Sequence, residues 1–405
     1  MENLYILGLV EKENKRQKET IRLIASENFV SNDILSVLGS SLTNKYSEGY
    51  PYKRYYRGQQ FIDEIEQRTI DLAKLVFGAK FANVQAYSGS PANLAIYKAL
   101  LNPYDTVMGL DLFSGGHLTH GFRVSITGQW FDSKPYSVSP ANFLIDYDNL
   151  EKLALEHKPK LIISGLSGYP REIDFERIGN IAKKTGAYHL ADISHISGIV
   201  STNNHPNPFP FADIVMTTTH KLLRGPRGAL ILTNDKILAD KIDKSVFPGL
   251  QGGPHMNNIA GIGIALEQAL SPDYKDYIKQ VLINAKILAQ ELIKLGFEVI
   301  TGGTDNHLIL LDLRKNEIDG ETFSQALEKA NIETNKNTIP FDPAPPTKAN
   351  GLRIGTPAMT TIGMMEKEMI FIAKSLRQVL DNYQDDKVLA EIKQNNIQFM
   401  SKFKI

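Results

Sequence analysis

The segment Met216-Thr217-Thr218-Thr219-His220-Lys221-Leu222-Leu223-Arg224-Gly225-Pro226-Arg227-Gly228 sets one lysine just beyond an apolar run, between hydroxyl side chains and a Gly-Pro turn. A lysine kept from water there titrates below its ordinary range and condenses with carbonyl compounds. The alternative is a solvated lysine on a basic loop, since Arg224 and Arg227 are close by. Upstream, Asp192 ends the run Leu190-Ala191-Asp192, and His195 follows three residues on. A carboxylate at a strand end can hold a protonated ring nitrogen, and it can equally cap the next segment. Earlier still, Ser88-Gly89-Ser90-Pro91-Ala92-Asn93 opens a helical run from Leu94 to Leu101. Ser90 suits an N-cap and Pro91 the first turn. Free N–H groups and the helix dipole at such a turn suit a phosphate, although a simply capped helix uses the same residues.

Each feature alone is weak. In this order, a phosphate turn, a partner for a ring nitrogen and an imine-forming lysine describe a site for pyridoxal phosphate. His117 and His120 share an i, i+3 spacing, but no third ligand lies nearby in sequence, so no metal site is expected.

These residues need a scaffold that brings strand ends together. From about residue 80, short apolar strands alternate with helices: Ala82 to Ala86, Thr106 to Gly109, Leu161 to Gly165, Tyr188 to Ala191, Ile214 to Thr217 and Ala229 to Leu232. Phe175 to Thr185 carries Ile178, Ile181 and Ala182 on one helical face and stops at Gly186. This rhythm predicts an α/β sheet covered on both faces, with ligands at the carboxyl ends of its strands. Pro206, Pro208 and Pro210 bar a long helix between the fourth and fifth strands, leaving an irregular loop or a strand running the other way. Beyond Pro272 a long helix ending at Gly296 leads into strands near 297–300 and 308–313 and helices near 321–330 and 366–380. The expected division is an N-terminal arm over 1–30, a large domain over 31–271 and a smaller α+β domain over 272–405.

Composition narrows the chemistry. The 405 residues include no cysteine, which excludes disulfides, thiolate metal sites and cysteine nucleophiles. The 45 basic and 45 acidic residues cancel, so no global field draws nucleic acid or an acidic membrane. The apolar run from Leu4 to Val10 has Glu2 before it and a charged stretch after it, unlike a signal peptide. A cytoplasmic protein with no membrane or nucleic-acid partner is expected.

Longer segments carry a resemblance. They include Leu23 to Asn28, Leu42 to Pro51, Lys53 to Tyr56, Gly115 to Gly121, Phe247 to Pro254, Gly302 to His307 and Leu352 to Ala358. Over almost its whole length the chain resembles serine hydroxymethyltransferases. The resemblance implies a pyridoxal-phosphate-dependent fold of the aspartate-aminotransferase type (fold type I): an α/β large domain with a mixed sheet, and a smaller α+β C-terminal domain. It implies transfer of the serine hydroxymethyl carbon to tetrahydrofolate, giving glycine and methylene-tetrahydrofolate, and a homodimer with shared active sites or a tetramer of such dimers. A threonine aldolase of the same fold, or a catalytically silent relative, is the alternative.

By the same resemblance Lys221 would bind the cofactor covalently as a Schiff base, Asp192 would keep its ring nitrogen protonated and His117 would stack on the ring. Ser167 and His195 would meet its phenolic oxygen. Ser88, Gly89, Ser90 and His220 would contribute to the phosphate site. Arg353 would clamp the substrate carboxylate, with Ser26 nearby. Glu48 would be the acid–base group at the serine hydroxyl, with Tyr46, Tyr56, Thr218 and Arg227 around it. Folate would lie against Leu112 and the backbone of Gly116, His117 and Leu118. Glu48, Tyr46, Tyr56 and the Gly252-Gly253 turn would come from the neighbouring subunit. The chain departs from the family pattern at Met216 and Leu222, at Arg57-Gly58, and at Pro345-Pro346-Thr347. These changes bear on folate affinity and rate tuning and leave the lysine, aspartate and arginine in place.

Overall fold

The computed structural model describes residues 5–404, which divide into two compact units. One unit is Val30–Ile278; the other joins residues 5–29 to 279–404, and the division falls within the helix Pro272–Lys294.

The first unit is built on seven strands. In chain order they are β1 (Phe81–Asn83), β2 (Thr106–Gly109), β3 (Asp132–Ser133), β4 (Leu161–Gly165), β5 (Tyr188–Asp192), β6 (Ile214–Thr218) and β7 (Ala229–Thr233). Their spatial order is β1-β7-β6-β5-β4-β2-β3. Neighbours from β6 through β3 run parallel, whereas β7 is antiparallel to both β6 and β1. Every residue of β4, β6 and β7 is buried, the pattern of strands covered on both faces. Full burial of one such Leu or Ile contributes about 1.5–3 kcal/mol relative to leaving it exposed.

Four helices pack against these strands. The first, α1 (Gln60–Phe77), ends at Gly78 in the left-handed conformation. Two more, α2 (Gly89–Leu100) and α3 (Lys236–Val246), pack together, with Ser245 Oγ donating to the Ala95 carbonyl. The fourth, α4 (Phe175–Thr185), has the bounds expected from its apolar face and Gly186.

Three expectations change. The link between β5 and β6 holds only the short helix Ser197–Ser201; the reversed strand is β7, after the Gly225-Pro226 turn. Helix α2 begins at Gly89, so Ser88 and not Ser90 occupies the cap position, and its side chain makes no capping bond. The strand near residue 82 covers Phe81–Asn83 and stops short of Ala86.

The second unit has an antiparallel sheet of β8 (Glu298–Val299), β9 (Leu308–Asp312), β10 (Asn335–Asn337) and β11 (Gly351–Gly355), in the order β8-β9-β11-β10. The N-terminal segment belongs here. Ile21–Arg22 pairs in parallel with Ile332–Glu333, and Ile21 and Leu23 are fully buried in this unit's core. A helix covers Tyr5–Glu19. Among the described residues no helix is long and apolar enough to cross a membrane.

Candidate active site

Asp192 is the last residue of β5, and its buried carboxylate organises the first group of side chains. His120 Nε2 lies 3.0 Å from Asp192 Oδ2, and Asn93 Nδ2 donates to the same oxygen at 3.1 Å. The Ser194 N–H donates to Oδ1 at 3.1 Å, so the local cap foreseen for an aspartate also forms. The His117 N–H donates to His120 Nδ1, which puts the His120 proton on Nε2 and makes it a donor to Asp192. Asn93 also donates to Thr119 Oγ1 at 2.8 Å, leaving that hydroxyl to donate to His117 Nδ1 at 2.8 Å. The relay therefore fixes His117 as well.

Burial raises the Asp192 carboxyl, but the hydrogen bonds from His120 and Ser194 outweigh it. The carboxyl ends well below its ordinary range and stays ionised at neutral pH. Oδ2 already accepts two bonds and Oδ1 one, so Oδ1 retains capacity for another donor.

The β6 end adjoins this group. The Thr218 N–H donates to Ser194 Oγ at 3.1 Å, and a Cβ built on Gly89 would sit 2.7 Å from Thr218 Cγ2. The start of α2, carrying Ser88, Gly89 and Ser90, is thereby packed against the strand that leads to Lys221. Thr218 Oγ1, His220 Nδ1 and Asn93 Oδ1 are buried without a hydrogen-bond partner among the described residues. Burial, then the positive charges of Lys221 and Arg227, lower His220 to about 3, so its ring is neutral. An anion beside neutral His220 and the α2 N-terminus, with a cationic ring nitrogen on Asp192, matches the donors and acceptors present.

Lys221 is half-buried on a pinned loop. The Gly225 N–H donates to the Thr219 carbonyl at 2.8 Å, Thr219 Oγ1 to the Pro226 carbonyl at 2.7 Å, and Tyr274 Oη to the Leu222 carbonyl at 3.0 Å. The Arg224 guanidinium lies 4.3 Å above the Tyr277 ring, so Arg224 is held, whereas Arg227 is exposed. The departures Met216 and Leu222 are buried. Met216 Sδ accepts from Ser194 Oγ at 3.8 Å.

Ser167 and Gly168 donate their N–H groups to the Gly115 carbonyl, and His195 is buried three residues past Asp192. Leu112 lies in a one-turn helix capped by Asp111, Gly116 N–H donates to the Asp111 carbonyl, and Leu118 is exposed.

A second group forms elsewhere in the same unit. Tyr46 and Tyr56 meet edge to face at 5.3 Å, and Tyr56 Oη donates to Glu48 Oε2 at 3.4 Å. A Cβ on Gly252 would lie 3.2 Å from Glu48 Oε1, and one on Gly253 would lie 3.1 Å from the Tyr46 ring. The segment behind Glu48 is anchored by Arg54, which donates to the Ser47 and Gly49 carbonyls and pairs with Asp63 and buried Glu66. Arg353 and Ser26 lie in the other unit. Arg353 is buried on β11 with Nε donating to Asn335 Oδ1 at 3.2 Å; burial lowers it to about 10, still protonated at neutral pH. The Leu23 carbonyl accepts the Gly355 N–H at 2.7 Å, which sets the segment before Ser26 beside β11.

His120 and Asn93 escaped the sequence reading as partners of Asp192, and Thr119 as the link from Asn93 to His117. His120 was visible three residues after His117; its partner, 72 positions away, was not.

Comparison with known proteins gives a consistent result. A family profile described as "Serine hydroxymethyltransferase" matches residues 2–376. The serine hydroxymethyltransferase of Rickettsia canadensis (strain McKiel) is 51% identical over 394 residues, covering 95% of this chain and 94% of the relative. That of Endomicrobium trichonymphae is 51% identical over 403 residues, covering 100% of this chain and 97% of the relative. The Rickettsia prowazekii (strain Madrid E) protein of the same name is 49% identical over 404 residues, 96% of each.

Proposed function

The chain belongs to the serine hydroxymethyltransferase family, and from that premise we propose how its own residues carry the reaction. It is a one-carbon transferase that interconverts serine and glycine, in a family that uses pyridoxal phosphate and tetrahydrofolate. The observation that carries the residue assignment is Asp192: a buried, ionised carboxylate fixed by three donors, beside the α2 N-terminus and the strand that delivers Lys221.

The residues fit the cofactor. Thr218 Oγ1 and His220 Nδ1 are buried polar atoms with no partner among the described residues, and only a glycine at position 89 leaves room against Thr218. Lys221 would hold the cofactor covalently; Ser88, Gly89, Ser90 and His220 would hold its phosphate, with Gly252 and Gly253 adding to the site. Asp192 would hold its ring nitrogen, His117 would stack on the ring, and Ser167 and His195 would meet its phenolic oxygen. The bound group supplies an electron sink for the electrons released at the substrate α carbon.

Arg353 binds the serine carboxylate with its planar fork, and Ser26 supports it. Glu48 moves the proton of the serine hydroxyl, with Tyr46, Tyr56, Thr218 and Arg227 orienting it. Leu112, Gly116, His117 and Leu118 receive the folate. Asp192 stays charged throughout because His120 and Asn93 both donate to its Oδ2.

The functional unit is a homodimer in the cytoplasm, with Glu48, Tyr46, Tyr56 and the Gly252-Gly253 turn given to the neighbouring subunit's site. Exposed aromatic rings beside Glu48 support a partner on that face: Tyr55 is 74% and Tyr46 56% exposed. Borohydride reduction followed by peptide mapping tests the lysine. Cofactor mass on the peptide containing Lys221 is expected, and mass on another lysine alone would overturn the assignment.

A further inference from the structure

We propose that Tyr87 is a positioning residue for Glu48, acting through the Gly252-Gly253 turn. The inference rests on the reading of Glu48 as the acid–base group. Tyr87 immediately precedes Ser88-Gly89-Ser90, and four ties bind its segment to Gln251–His255. Its N–H donates to Gln251 Oε1 at 3.1 Å, and Gln251 Nε2 donates to the Gln85 carbonyl at 2.8 Å. Its phenol donates to the Gly253 carbonyl at 2.7 Å. Its ring stacks on His255 at 4.1 Å between centroids, with the planes 2° apart.

The same turn lies against Glu48 Oε1 and the Tyr46 ring. Gln85 Nε2 also donates to the Gly49 carbonyl at 2.9 Å, fixing the residue after Glu48. The backbone that carries Glu48 and the turn that walls its carboxylate are therefore both set from Gln85–Tyr87. Desolvation, with Tyr46 and Glu48 close by, raises the Tyr87 phenol, so it remains a donor at neutral pH. Within one chain, Tyr87 thus joins the phosphate turn of one site to the acid–base group given to the neighbouring subunit's site.

Tyr87→Phe removes one hydrogen bond and keeps the stack. Loss of one such bond is worth about 3- to 10-fold in rate, so kcat is expected to fall by that factor with KM for serine within about twofold. On a Glu48→Gln background, Tyr87→Phe is expected to cost no further rate; a multiplicative loss there would overturn the proposal. Hybrid dimers of tagged Lys221→Gln and Glu48→Gln chains place the effect. With shared sites this hybrid is active. Tyr87→Phe on the Lys221→Gln chain, which supplies Glu48, is expected to lower activity, while the same change on the Glu48→Gln chain leaves it intact. The reverse pattern would overturn the proposal. An inactive parent hybrid would remove only the sharing of sites, and the Glu48→Gln background would still decide the role of Tyr87.

Discussion

His120 Nε2 donates to Asp192 Oδ2 at 3.0 Å, across 72 positions of sequence, and the bond holds the carboxylate ionised against its own burial. Removing the donor frees burial to raise the carboxyl. His120→Ala is therefore expected to weaken cofactor binding and to lower kcat by roughly tenfold, the worth of one charge-assisted bond. The acid limb of the kcat profile should move to higher pH, because Asp192 then protonates sooner. A cofactor titration and a pH–rate series check this, and an unmoved acid limb would count against the bond.

At the phosphate turn the constraint is steric. Gly89→Ala places a methyl 2.7 Å from Thr218 Cγ2, inside a packed strand end. Overpacking of this kind costs about 1–3 kcal/mol. Cofactor affinity should fall about tenfold or more if, as proposed, the same turn supplies the N–H groups for the phosphate. Absorbance titration with added cofactor measures the loss, and denaturant unfolding of the cofactor-free protein separates it from the stability cost.

Beneath Glu48 lies an ion network that is almost wholly dry, with the Arg54 side chain 2% and the Glu66 side chain 0% exposed. Burial raises the Glu66 carboxyl, and Arg54 opposes the shift. Arg54→Ala strands that carboxylate and should destabilise the protein by about 3–5 kcal/mol. Glu66→Gln, which keeps a polar partner for Gln85, should cost less. Equal costs in chemical denaturation would contradict the ion-pair reading.

The fold also carries a pH dependence that is independent of the reaction. Buried His189 accepts from Ser164 Oγ at its Nε2 and donates from Nδ1 to the Phe211 carbonyl. Burial lowers it from 6.5 to about 4. The unfolded chain therefore takes up a proton there before the folded one does. Its stabilisation is complete above about pH 6.5 and is lost as the pH falls towards 4, by about 3 kcal/mol in all. Denaturation midpoints should fall over that window, and His189→Gln should flatten the slope.

How far the sequence reveals this molecule depends on the range of each interaction. Strands Thr106–Gly109 and Leu161–Gly165 and helix Phe175–Thr185 have the bounds that local apolar pattern and a terminal glycine specify. Their signals lie within a dozen residues. The antiparallel insertion of β7 and the pairing of Ile21–Arg22 with Ile332–Glu333 depend on distant partners and leave no local trace. The site divides in the same way. Asp192 stands at a strand end, Lys221 three residues past one and Ser88-Gly89-Ser90 at a helix start, places that local pattern alone locates. The His120 and Asn93 bonds that keep Asp192 ionised, and the tie from Tyr87 to Gly253, arise only when chain segments 72, 99 and 166 residues apart meet.

The most direct test follows serine labelled at its hydroxymethyl carbon, with and without tetrahydrofolate. Glycine should form rapidly only when tetrahydrofolate is present, with the label recovered in the folate. The Lys221→Ala protein should lose that turnover. Equal glycine formation without folate, or a Lys221→Ala protein working at the parent rate, would contradict folate-dependent transfer at Lys221.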